Sequence, residues 1–125
     1  MPTPEKARQI EEISEILRTA SVAILTDYRG LTVADMTAFR RRLQEQQANL
    51  RVVKNTLTRI AAERTGTAVI TPLLEGPTAL VYTSGDPVTA AKLTVEFARQ
   101  SRILTVKGAL LGGQLLSPAD VEALA

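Results

Sequence analysis

The chain has 125 residues, a one-domain length that buries roughly two thirds of the surface its unfolded form exposes. Its hydrophobic fraction is 45% but its aromatic fraction only 3%, so the core has to be built mainly from Leu, Ile, Val and Ala. Cysteine and histidine are both missing, which excludes a disulfide framework, ordinary zinc sites and Ser-His-Asp or Cys-His nucleophiles. No run approaches the ~20 apolar residues of a membrane helix, and the opening MPTPEKARQIEE lacks the apolar stretch of a secretory signal. A cytoplasmic location without membrane contact fits these features. Neither a G-x-x-x-x-G-K-[ST] loop nor a G-x-G-x-x-G turn occurs, and acids such as Glu11 and Glu12 fall on surface-like helical positions. The expectation is a protein that is not an enzyme and carries no cofactor or metal.

The net charge of +2 is unevenly spread. Residues 1–28 carry three basic and five acidic groups, residues 29–64 eight and three, and residues 65–125 four and five. The whole basic excess therefore lies in the middle segment. A localised basic field suits a polyanionic partner, because each neutralised phosphate releases condensed counterions.

In chain order, Thr3 and Pro4 start a helix to about residue 19, with Ile10, Ile13 and Leu17 on its apolar face. Residues 21–26 read as a short buried strand, and Asp27-Tyr28-Arg29-Gly30 as a turn. Thr32 and Asp35 then form a capping box for a helix over about 33–47, which buries Met36, Phe39 and Leu43. A second strand at 50–53 leads through Lys54 to a helix ending at Arg64, with Asn55 as its N-cap and Gly66 as its stop. After a looser stretch, Gly76-Pro77 opens a third strand at 78–82. Asp86-Pro87 starts a fourth helix to about residue 100, and a fourth strand near 103–107 continues into a ribbon turning at Gly112-Gly113. Alternating elements of this size predict one mixed sheet flanked by helices, a ferredoxin-like α/β sandwich. Ser117-Pro118 begins a last helix of barely one turn, too short to be stable alone. The sequence thus reads as the first part of a longer protein, with residues 1–116 as the α/β domain and 117–125 as the start of a C-terminal helical region.

Three features of the basic segment carry functional chemistry. In the turn before the second helix, Arg29 can fork onto phosphate oxygens, Gly30 permits tight backbone geometry and Tyr28 can stack. Arg40, Arg41 and Arg42 point about 100° apart on their helix, so at most two can face one partner. In Val53-Lys54-Asn55-Thr56-Leu57-Thr58-Arg59, a strand gives way to a helix whose first N–H groups and positive dipole end attract anions. Lys54 stands beside that end, and Thr56 and Thr58 add hydroxyls. The scarcity of aromatics argues against base-stacking readers of single strands, leaving backbone and shape recognition of folded RNA.

The strings Thr-Asp-Tyr-Arg-Gly-Leu-Thr-Val, Phe-Arg-Arg-Arg-Leu, Arg-Val-Val-Lys-Asn-Thr-Leu and Glu-Gly-Pro-Thr-Ala-Leu-Val-Tyr together resemble the family of large-subunit ribosomal protein ten. That resemblance spans nearly the whole chain and implies a structural protein at the base of the ribosomal stalk. It implies an N-terminal domain docked on large-subunit ribosomal RNA near ribosomal protein eleven. It also implies a C-terminal helix, not contained in these residues, that carries acidic stalk protein dimers and so recruits translational GTPases. The RNA-facing positions it implies are Arg29, Gly30, Lys54, Asn55 and Thr56, followed by Lys6 and Arg59.

Two other readings use the same residues. A ribosome-assembly or mRNA-binding relative would employ the same basic surface. A small α/β enzyme acting on a phosphorylated metabolite would work through Lys54 and the helix end, and would need a deep pocket with a perturbed acid or lysine.

Overall fold

The computed structural model describes residues 3–125. Its elements follow the order α1 (Pro4–Thr19), β1 (Val22–Asp27), α2 (Val33–Glu45), β2 (Asn49–Val53), α3 (Asn55–Arg64), a 3-10 helix (Ala68–Leu73), β3 (Thr78–Thr83), α4 (Pro87–Ser101), β4 (Thr105–Leu111), β5 (Gln114–Leu116) and α5 (Pro118–Leu124). Local chemistry accounts for the helix starts. Thr3 caps α1 and Asp86 caps α4, while Thr32–Asp35 and Ser117–Asp120 each close a reciprocal capping box.

The five strands form one sheet in the order β2-β3-β1-β4-β5, flanked by helices as expected. Within it the direction of the strands differs from the mixed arrangement read from the sequence, for every pairing is antiparallel. The β1-α2-β2 crossover skips one strand position, and β3 fills the gap in the opposite direction. The β3-α4-β4 crossover likewise skips a position, which β1 fills. Two interleaved βαβ units thus give the ferredoxin-like strand order without any parallel neighbours.

Alternation along the strands divides the core in two. Val22, Ile24, Ala79, Val81 and Ala109 face α2, α4 and α5, where the rings of Phe39 and Phe97 stack at 4.3 Å with planes 8° apart. Ala23, Leu25, Leu80 and Leu110 face α1, α3 and the 3-10 helix, whose contribution is aliphatic: Ile10, Ile13, Leu57, Ala61 and Ile70. Residues 118–124 are held by tertiary packing rather than propensity, since Val121 is wholly buried in the first of these clusters. No helix among the described residues is long and apolar enough to cross a membrane.

Candidate nucleic-acid interface

Because β1 and β2 both run antiparallel to β3, they finish at the same end of the sheet, where Asp27 pairs with Thr105 and Val53 with Thr78. The two strand-to-helix joints singled out in the sequence are therefore neighbours in space, although 25 residues separate Arg29 from Lys54.

At the first joint, the Arg29 N–H donates to Asp27 Oδ1 at 2.8 Å and the Leu31 N–H to the Tyr28 carbonyl at 3.0 Å. This tight turn places Gly30 at φ +94° and leaves Arg29 and Gly30 exposed. Tyr28 is half-buried and packs partly against the core.

At the second joint, Lys54 is the N-cap residue of α3, and no side chain caps the helix. The cap predicted at Asn55 is corrected accordingly: Asn55 is already helical, and its Nδ2 donates to the Gly76 carbonyl at 2.8 Å. The contact is tertiary, so the sequence rule for caps could not foresee it. Its consequence is chemical, because the first N–H groups of α3 remain free of side-chain acceptors beside exposed Lys54 and Thr56. Thr58 does not add to that surface; it is buried, and its hydroxyl donates to the Lys54 carbonyl at 2.9 Å.

Gly76 joins the two halves. It accepts from Asn55, and a Cβ on it would lie 2.9 Å from Arg29 Nη2, so a side chain there would displace the guanidinium. Its φ of +66° adds a second reason for glycine. The loop that holds Gly76 is tied down by Lys107, whose Nζ donates to the carbonyls of Leu73 (3.3 Å) and Glu75 (2.6 Å) and to Thr78 Oγ1 (2.8 Å). Burial, above all, lowers the pKa of Lys107; nearby Arg29 also lowers it, while Asp27 and Glu75 oppose the shift. With three acceptors around it, this ammonium is a strut rather than a catalytic base. Sequence reading missed Lys107, which stood only as the last residue of the predicted strand at 103–107.

The remaining positions separate clearly. Arg59 is exposed on α3, and Lys6 is exposed on the first turn of α1. Helices α1 and α3 begin at the same end of the sheet, since one runs back to the start of β1 and the other away from the end of β2. Arg51 of β2 pairs with Glu12 of α1 at 3.0 Å, tying that helix to the strand that leads into α3. Among the described residues, no ion pair includes Arg29, Lys54, Arg59 or Lys6. The arginine triplet diverges as its helical spacing required. Arg40 Nε donates to the Leu50 carbonyl, Arg42 pairs with Glu96 and Gln100, and Arg41 is exposed. Leu50 lies toward the opposite end of β2 from Lys54, so the triplet does not extend the site.

Relatives place this arrangement in context. The family model for ribosomal protein L10 matches residues 1–99. The large ribosomal subunit protein uL10 of Thermomicrobium roseum is 90% identical over 125 residues, which is 100% of this chain and 70% of that protein. The proteins of the same name from Acidothermus cellulolyticus and Thermobifida fusca are each 45% identical, with 100% of this chain and 72% of theirs aligned. All are named as ribosomal proteins rather than enzymes. The chain belongs to the ribosomal protein L10 family.

Proposed function

We propose that this domain binds large-subunit ribosomal RNA through the sheet end where Arg29, Gly30, Lys54, Asn55 and Thr56 converge, with Arg59 and Lys6 on its flanks. The observation that carries the reading is the meeting of two joints at Gly76, which presents an uncapped helix entrance between two cations that belong to no ion pair among the described residues. Guanidinium, ammonium and helix N–H groups are the donors that phosphate oxygens accept from. With no stacking platform of aromatics, the site is suited to the backbone and shape of a folded RNA.

In the whole protein, residues 1–116 serve as the RNA-anchored domain beside ribosomal protein eleven, and residues 117–125 lead into the helix that carries acidic stalk protein dimers. Those dimers recruit translational GTPases, and the place of work is the cytoplasmic ribosome. Support for this part is family membership, since the relatives extend beyond the length matched here.

Chemical footprinting of the chain on large-subunit ribosomal RNA tests the proposal. The expected result is protection of one compact helical region, with log affinity falling linearly against log salt at a slope set by about four to six phosphate contacts. Diffuse protection, or affinity indifferent to salt, would overturn it.

A further inference from the structure

The pairing of β1 with β4 slips between Leu25 and Thr26: Leu25 faces Gly108, Thr26 faces Val106, and Lys107 is left over between them. Lys107 is thus the extra residue of a β-bulge, a device that re-aims a side chain which regular alternation would send elsewhere. Beside it, Gly108 has no room for a side chain, since a Cβ there would lie 2.7 Å from the Leu116 carbonyl oxygen of β5.

The re-aimed ammonium starts a chain of hydrogen bonds. Lys107 donates to Thr78 Oγ1, the Thr78 hydroxyl donates to the Gly76 carbonyl at 3.2 Å, and Asn55 Nδ2 donates to that same carbonyl. Thr78 is buried, which shields the middle of this chain from water. Arg29 lies against the other side of Gly76. We propose that Lys107 is a positioning residue: through Thr78 and the Glu75–Gly76 loop it presets Arg29 and Asn55, and touches no RNA itself. The bulge exists to deliver that strut. This rests on the RNA-binding reading for its consequence, but the geometry is testable without RNA.

Two arms separate the two ideas. In the free protein, NMR follows the Asn55 side-chain amide and the Arg29 Nε–H signals in wild type, Lys107→Met and Thr78→Val. Both variants are expected to move these signals and to speed exchange of the Asn55 amide; Thr78→Val does so with the lysine charge retained. Signals unmoved in both folded variants overturn the positioning role. The second arm measures affinity for transcribed large-subunit ribosomal RNA. Lys107→Met is expected to weaken binding about tenfold, as loss of one charge-assisted contact would, but less than about threefold in an Arg29→Ala background, because the two act as one unit. Lys92→Met controls for the loss of a positive charge. A loss of equal size in both backgrounds overturns the positioning role, whereas an Arg29→Ala variant that binds like wild type overturns the RNA reading and leaves the NMR arm to decide the strut.

Discussion

Two groups of basic residues of the same chemistry behave differently in this molecule. On the helices, Arg8 is held between Glu5 and Glu12, Arg18 pairs with Glu15 and Arg42 with Glu96, while Arg51 of β2 pairs with Glu12. At the end of the sheet, the side chains of Arg29 and Lys54 form no ion pair among the described residues. A cation already neutralised contributes little to a distant polyanion and, when exposed, little to stability. A cation outside any ion pair, on a fixed turn, keeps more of its field and loses little entropy on binding. The comparison teaches that counting arginines locates a basic segment, while the placement of acids decides which part of it is available.

Arg29→Ala with Lys54→Ala should weaken RNA binding about a hundredfold and reduce the salt slope by about two. Arg8→Ala with Arg18→Ala removes the same charge, yet should change affinity less than about threefold. Salt titrations of both double variants decide the matter; equal losses would mean that net charge alone drives binding.

A smaller effect is expected where the free cation is seated. Gly76→Ala forces a left-handed residue and pushes on Arg29 Nη2, at a cost of about 1–2 kcal/mol in stability. Urea denaturation measures that cost, and RNA affinity should fall toward that of Arg29→Ala. If affinity held while stability fell, the contact between Gly76 and Arg29 would have no bearing on the site.

The hydrogen bond from Arg51, more than any other cause, holds the Glu12 carboxyl below its ordinary value of 4.5. A carboxyl depressed on folding contributes stability that is complete above the unfolded value and lost as pH falls through the folded one. Arg51→Leu should therefore make the acid-side decline of the urea midpoint shallower between about pH 5 and about pH 3. A parallel pair of curves would show that this ion pair has no energetic weight.

Much of this was legible in residue order. Thr3, Thr32, Asp86 and Ser117 marked four helix starts correctly, because a cap satisfies donors only two or three residues away. Gly112-Gly113 marked the β4–β5 turn, and the spacing of Arg40, Arg41 and Arg42 foretold their divergence. Asn55 was misread for the complementary reason. Its side chain had a local role available as a cap, but Gly76, 21 residues away, offered a carbonyl that no local rule could weigh.

Residue order by itself therefore determined the alternation of helices and strands, their boundaries to within a few residues, and the segment in which basic charge accumulates. Those properties depend on neighbours within a turn or two of the chain. Only the tertiary structure decided that the strands all run antiparallel, that the joints at Arg29 and Lys54 meet across Gly76, and that Lys107 is turned by a bulge to brace them. Each of these joins residues far apart in sequence, where closure of the chain and packing against the sheet, rather than local propensity, set which groups can touch.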